Sequence, residues 1–390
     1  MNVIYSIGSR FGESGIGYIA YQFVRHFYGQ GYLKKLFALS VVPTEIEKML
    51  VCTCPGLRQL SRLLKVPNRF ISLNDWASLR DSFFDRWVSR RLESADIFHG
   101  WLGQSFFSIK HAKRKGMVTF LEHPSAHALY QQRLLEREYE HCKVNFRPDT
   151  PAIIRRNLAE YEAVDFIVVP SRFVYDSFVQ QGVSSKKIIL VPYGVDTDRF
   201  SVRQPEEHNG IFRVVFVGQI GLRKGVHYLL QAWSELRLAQ AELIVAGWTH
   251  PDIVHILKDY RNVENIHIKD FISEPAALYQ TADICVFPSI EDGFGLVVLE
   301  AMACGKPVII TENTGAKDVV VDGQDGFVIP AGSLEKLKEK ILYFYNNRQV
   351  AHSMGEVARK RVQKYSWQSS AEALYAAYKT ILAQHISQDE

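Results

Sequence analysis

ADICVFPSIEDGFGLVVLEAMACGKPVI, residues 282–309, sets out a strand, a glycine turn and a helix in one continuous stretch. The run Ile284–Phe287 is short and apolar, as a buried strand requires. Asp292 then heads the turn Gly293, Phe294, Gly295, and the apolar helix LVVLEAMA follows with Glu300 inside it. Glycines let backbone approach a ligand closely, and amides at a helix start favour negative charge, so this turn forms an anion site by construction. An unpaired carboxylate buried at Glu300 would cost several kcal/mol unless something donates hydrogen bonds to it. Sugar hydroxyls are suitable donors; a Glu300 that snorkels to solvent or pairs with a Lys or Arg is the alternative. Glu291 reads as a solvated loop residue.

A second stretch repeats the arrangement: RVVFVGQIGLRKGVHYLLQAW, residues 213–233, again runs from strand through glycine turn to amphipathic helix. Arg223 and Lys224 fall where that helix begins, the reverse of the usual preference for acidic residues there. Cations at a positive helix end call for an anion between them. A diphosphate fits, because Arg offers a planar fork and Lys a mobile point charge. Alone, the RKG would pass for surface charge; beside the Asp292–Glu300 stretch it gains meaning.

Working outward, strand-like runs alternate with helix-length amphipathic stretches through both halves, the signature of parallel α/β sheets. The first half predicts strands near Val3–Ile7, Leu36–Val41, Asp96–His99, Val118–Leu121, Phe166–Val169 and Ile188–Val191. The second predicts them near Arg213–Val217, Glu242–Ala246, Asn265–Ile268, Ile284–Phe287, Val308–Ile310 and Gly326–Ile329. Between the sets, VPYGVDTDRFSVRQPEEHNG replaces apolar periodicity with proline, glycine and charge. At 390 residues, two domains are expected: residues 1–192, a linker at 193–210, and residues 211–366. A final helix over 367–390 has no partner strand and is expected to pack back on the first domain. Two doubly wound, Rossmann-like sheets facing each other would place a ligand in the cleft at their strand C-termini.

With these stretches in hand, the second half resembles the nucleotide-sugar-binding domain of glycosyltransferase family 4, of the bacterial polysaccharide and glycolipid type. GLRKG resembles its phosphate loop, and DGFGLVVLEAMACGKPVI its pattern of an acid, seven residues and a glutamate. PSRFVYDSF, VPYGVDTDRF and YSWQSSAEALYAAY also match in order, so the likeness covers most of residues 165–385. The resemblance implies the α/β GT-B fold and a retaining, metal-independent hexosyltransferase. Arg223 and Lys224 would then hold the diphosphate, Glu300 the ribose hydroxyls, and the backbone of Gly293, Phe294 and Gly295 the sugar and phosphate. Gly218 belongs to the same donor site, and Asp270, Phe271 and Ile272 match the stretch lining the base. Asp292 stands where the family usually has glutamate, with Glu291 just before it.

The N-terminal SIGSRFGESGIGYIAYQFVRHF is similar to the family's first glycine loop, where Gly15 and Gly17 would bring amides to the donor phosphate or the acceptor. The competing dinucleotide fingerprint should read GxGxxG, whereas Gly12, Gly15 and Gly17 run GxxGxG. In VTFLEHPSAHALYQQ, His123 matches the family's active-site histidine; His127 and His99 are weaker candidates. Asp196, Thr197 and Asp198 form a DxD, which in another transferase fold binds a divalent cation. Here it lies in the linker and reads as a turn.

Composition narrows the class. The chain is 47% hydrophobic and 23% charged, as soluble globular proteins are. It has no run of about 18 apolar residues and no secretory leader pattern, so a cytoplasmic protein is expected. Five scattered cysteines suit reduced thiols. Residues 1–192 carry 26 Lys and Arg against 17 Asp and Glu, and the remainder 20 against 25, so the first half suits an anionic partner. In GLRQLSRLLK, Leu57, Leu60, Leu63 and Leu64 share a helical face flanked by Arg58, Arg62 and Lys65. That segment predicts either peripheral docking on an anionic membrane or a core-facing helix with solvated charges. The expected donor is a UDP- or GDP-linked hexose and the acceptor a saccharide or lipid-linked molecule, with no metal, cofactor or nucleic acid. A nucleotide-sugar epimerase or isomerase, and a silent sugar-binding module, are the competing functions.

Overall fold

The computed structural model describes residues 1–55, 73–145, 149–202, 210–270, 272 and 274–389. Seven strands build the first sheet: β1 (Val3–Phe11), β2 (Leu33–Val41), β3 (Val51–Thr53), β4 (Ile97–Trp101), β5 (Val118–Glu122), β6 (Phe166–Val169) and β7 (Ile188–Leu190). Six build the second: β8 (Phe212–Val217), β9 (Ala241–Ala246), β10 (Ile266–Lys269), β11 (Ile284–Phe287), β12 (Val308–Thr311) and β13 (Gly326–Ile329). Their orders are β3-β2-β1-β4-β5-β6-β7 and β10-β9-β8-β11-β12-β13, and the pairings are parallel. Strands such as β4, β5, β11 and β12 are buried at every residue, which is why their sequences are continuous apolar runs.

Strand order reverses beside β1 in one sheet and beside β8 in the other. A crevice opens where neighbouring connections leave in opposite directions, so both switch points are ready-made ligand sites. The glycine loops follow β1, β8 and β11, so the topology delivers them to these points.

Helices in the first domain are α1 (Ile16–Gly29), α2 (Leu73–Ser89), α3 (Phe106–Arg114), α4 (Ala128–His141), α5 (Pro151–Ala163) and α6 (Arg172–Gln180). The second has α7 (Val226–Leu236), α8 (Val254–Leu257), α9 (Pro275–Thr281), α10 (Leu296–Ala303), α11 (Leu334–Asn346) and α12 (Arg348–Val362). The last helix, α13 (Trp367–Asp389), crosses back to the first domain. Trp367 meets Tyr18 edge-on at 5.7 Å, and Tyr375 stacks on Tyr32 at 5.0 Å. Gly194 packs tightly on the start of this helix, since a Cβ there would lie 2.3 Å from the Trp367 nitrogen.

Under α13 lies a buried polar network. The Tyr378 hydroxyl is 2.5 Å from His99 Nδ1, and His99 Nε2 is 3.1 Å from Glu122. Glu122 also accepts a 2.8 Å bond from Tyr193, while Tyr5 stacks on His99 and accepts from Trp101. His99 is therefore part of the core that anchors the crossing helix.

The structure differs from the sequence reading at two edges. β3 was not expected, because a three-residue edge strand, VCT, is too short to show a pattern. β1 runs on to Phe11 through a register shift after Ile7. The segment 57–65 lies outside the described residues. In the linker, the Asp196 carboxylate accepts from the amides of Asp198 and Arg199, which closes the turn the DxD spells.

Replacing Tyr378 with Phe strips a buried partner from His99 at little cost in volume. Urea unfolding of Tyr378→Phe should show a loss of about 1–3 kcal/mol, the range for an orphaned buried polar group. An unchanged midpoint would mean that the hydroxyl carries no part of the helix's anchoring.

Candidate functional site

Gly221 starts a single 3-10 turn, Leu222–Lys224, and Gly225 ends it at φ +67°. A Cβ on Gly225 would lie 1.9 Å from the Pro288 carbonyl oxygen, so only glycine lets this loop meet the loop after β11. The two loops are then stitched together. Ile290 N donates to the Arg223 carbonyl at 2.9 Å. Arg223 Nη1 donates at 2.9 Å to Glu291 Oε2, and Lys224 Nζ pairs with Asp292 Oδ2.

These pairings tune the charges. For Asp292, burial would raise the pKa, yet Lys224 and Arg223 overcome it and the carboxyl ends below its usual range. Burial pulls Lys224 below the ordinary lysine value, with Asp292 offsetting only part. For Arg223, burial is outweighed by Glu291 and Asp292, which raise it. The Arg223 side chain remains 32% exposed, and the contact with Glu291 uses one of its five N–H groups. Both cations thus keep donors for an incoming anion.

Glu291 corrects the sequence reading. It is a fully buried carboxylate, not a solvated loop residue. Besides Arg223, it accepts from the Ala126 amide at 3.0 Å and from Gln131 Nε2 at 2.7 Å, both in the first domain. Because Gln131 lies on α4, one carboxylate joins a first-domain helix to the Leu222–Lys224 turn of the second domain. Sequence reasoning missed Gln131 altogether; no local signal links residues 160 positions apart.

The adjacent turn makes the second interdomain joint. A Cβ on Gly293 would fall 2.0 Å from the Pro124 carbonyl oxygen, and Ser171 Oγ donates to the Gly293 carbonyl at 2.6 Å. Phe294 is buried, with its ring 5.3 Å from Tyr193, so its side chain packs on the start of the linker. Gly295 takes φ +81° and starts α10. His123 precedes Pro124, but its ring is buried beneath that loop. Nδ1 is 2.7 Å from the Ser125 carbonyl, and Nε2 is 2.7 Å from the Tyr161 hydroxyl. Burial pushes its pKa down to about 3, so it is a neutral ring, held by Tyr161 at Nε2 and holding the Pro124–Ser125 loop at Nδ1. His127, by contrast, caps α4 through a 3.3 Å contact from Leu129 N.

Glu300 lies on α10 with Tyr279 donating to Oε2 at 3.2 Å. Burial lifts its pKa to about 7, opposed by Tyr279 and the Arg199 charge. Tyr18, on α1, feels the charges of Asp196, Arg199 and Glu300, so it shares this part of the cleft. Neither Tyr18 nor Arg199 stood out in the sequence. Gly15 opens α1 at φ +54° with free space where a Cβ would stand. Gly17 is a correction: its amide bonds Ser14 O and its carbonyl accepts from Gly12, so its amide is not aimed at a ligand. Its lack of a side chain lets α1 press on β1, where a Cβ would be 2.0 Å from Arg10 O. Gly218 bonds Ala246 O, and Gly247 packs against it too closely for a Cβ. Asp270 is exposed just beyond β10, Ile272 is partly buried, and Phe271 lies outside the described residues.

Two parallel doubly wound sheets joined across glycine loops define the GT-B class, and solved structures agree. A sucrose-phosphate synthase from Thermosynechococcus elongatus superposes with a TM-score of 0.73 at 18% identity, over 98% of this chain and 100% of that one. HepE of Anabaena, in complex with UDP, gives 0.71 at 14%, over 97% and 100%. Residues 14–199 match the family described as Glycosyltransferase Family 4, and residues 197–361 the one described as Glycosyl transferases group 1. The chain belongs to the GT-B glycosyltransferases of family 4 type. It is 28% identical to the capsular polysaccharide biosynthesis glycosyltransferase CapM of Staphylococcus aureus over 59% of its own length, and spans 65% of that relative.

The raised pKa of Glu300 has a definite sign. Folding favours the protonated form, so its contribution to stability is full below the ordinary value of 4.5 and is lost as pH rises through about 7. Wild type should therefore lose stability relative to Glu300→Gln between about pH 5 and about pH 8 in paired urea titrations. A gap that does not change with pH would contradict the burial of this carboxyl.

Proposed function

We propose that the protein transfers a hexose-type sugar from a nucleoside-diphosphate donor to a saccharide or lipid-linked acceptor in glycan, glycolipid or polysaccharide synthesis. The observation that carries this reading is the pair Arg223 and Lys224, held by Glu291 and Asp292 at the switch point of the second sheet with donors to spare. Family membership, the UDP in HepE and the role named for CapM point the same way. UDP- and GDP-linked hexoses are the donors to test first.

Transfer leaves a cationic, oxocarbenium-like sugar and a departing diphosphate. Arg223, Lys224 and the amides at the start of α10 neutralise the diphosphate in this reading, without a metal. Glu300 takes the ribose hydroxyls, as the raised pKa of a carboxyl short of donors invites. Asp292 orients the sugar while holding Lys224. His123 acts through the Pro124–Ser125 loop and not by touching the donor. Asp270–Ile272 line the base. Attack on the same face as departure, with the leaving phosphate taking the acceptor proton, retains the anomeric configuration.

A cytoplasmic location with peripheral contact to an anionic membrane belongs to the same proposal. It rests on the basic first half and on the segment 57–65. Among the described residues, no helix is long and apolar enough to cross a membrane.

A panel of nucleotide sugars tests the reaction: slow release of free nucleoside diphosphate supports transfer, and an altered sugar still attached to the nucleotide would indicate an epimerase instead. With the active donor, Arg223→Ala and Lys224→Ala should each slow turnover by about 100-fold or more, the scale of a lost charge-stabilising donor. Near-native turnover in either folded variant would remove that residue from the chemistry. Glu300→Gln should weaken donor binding in calorimetry, because a neutral amide accepts hydroxyl hydrogens less strongly than a carboxylate. Unchanged affinity would place the ribose elsewhere.

A further inference from the structure

Glu138 on α4, Cys142 just past its end and His227 on α7 bring their ligand atoms within 4.8 Å of one another. Glu138 and Cys142 are four residues apart and so share one helical face. His227 reaches them from the other domain. Glu138 and His227 are buried, and Cys142 is partly exposed. We propose that these three side chains form a binding site for a zinc-class divalent ion that bridges the two domains.

The geometry and the donor types carry the proposal together. Tetrahedral zinc with its usual bond lengths sets an oxygen and a sulfur ligand about 3.6 Å apart, and an oxygen and a nitrogen about 3.4 Å apart. The Cys142 Sγ to Glu138 Oε1 distance is 3.6 Å. His227 Nε2 to Glu138 Oε1 is 2.7 Å, so the ring must withdraw by about 0.7 Å to admit the ion. In the metal-free protein Nε2 carries the proton toward Glu138, and His227 Nδ1 has no hydrogen-bond partner, so the proton can transfer to Nδ1 and leave Nε2 to bind metal. Thiolate, imidazole and carboxylate together select zinc over the oxygen-loving calcium and magnesium. The partly exposed side, at Cys142, leaves a fourth position to water. The thiol proton leaves to solvent as the metal–sulfur bond forms.

The site shares no side chain with the phosphate loops, so it stands whatever sugar the protein handles. Its effect is mechanical. A metal there ties α4 to α7 and holds the two domains in the arrangement already joined by Glu291.

Cobalt(II) is the direct probe, because a thiolate ligand gives it an intense near-ultraviolet charge-transfer band. One equivalent added to the reduced full-length protein should produce that band, and zinc should bleach it. Cys142→Ser should abolish the band, and both Cys142→Ser and His227→Gln should lower zinc affinity by roughly 100-fold or more in competition with a chromophoric chelator. Cys52→Ala should leave both readouts unchanged. Circular dichroism confirms that each variant is folded, and His227→Gln leaves every thiol in place. No thiolate band at one equivalent, a band that survives Cys142→Ser, or zinc affinity that survives His227→Gln would each overturn the site and leave a plain Glu138–His227 hydrogen bond between the domains.

Discussion

A carboxylate taken wholly out of water must be matched by donors, and at Glu291 they come from both domains. An uncompensated buried charge costs several kcal/mol, so the arrangement holds only while Arg223, the Ala126 amide and Gln131 all face it. That requirement fixes the entry of α4, the reach of the RKG turn and the approach of the two sheets at once. Arg223 is thereby held in place by Glu291. The same pairing neutralises the cations in advance, so in the proposed reaction a diphosphate would take over donors shared with two acids. Asp292 is partly exposed, whereas Glu291 has no exposed surface.

Space matters as much as charge. Gly225, Gly293 and Gly315 each stand where a Cβ would lie about 2 Å from a carbonyl oxygen: Pro288, Pro124 and Gly293 respectively. The three contacts tie the turn at Gly225, the loop after β11 and the turn before α10 to the first domain. Through them His123 acquires a role despite having no free nitrogen. Its ring fixes the Pro124–Ser125 loop, and that loop fixes Gly293.

The sheets were legible because their strands are buried on both faces and so spell continuous apolar runs; Phe166–Val169, Ile284–Phe287 and Gly326–Ile329 fall where the sequence puts them. β3 escaped because three residues at an edge carry no period. The glycine turns and the cation pair could be read because each is local to a single loop. Glu291 could not, since its neighbours suggest a loop while its partners lie 68, 160 and 165 positions away. His123 was visible as a histidine at a strand end, but its neutral, fully bonded state depends on Tyr161, far along the chain. The sequence singles out the backbone of Phe294; that its ring packs on Tyr193 could be seen only in the fold. Tyr18 and Arg199 gave no signal, because only the fold sets α1 and the linker turn beside Glu300.

In the proposed reading, Arg223 and Lys224 form a diphosphate site built from cations already paired with acids. Calorimetric titration with a nucleoside and with its diphosphate tests it without any acceptor or turnover. The diphosphate should bind wild type at least about tenfold more tightly than the nucleoside, a gain of about 1.4 kcal/mol or more, and Lys224→Ala should erase most of that advantage. Equal affinity for the two ligands, or an advantage that survives the substitution, would contradict the account.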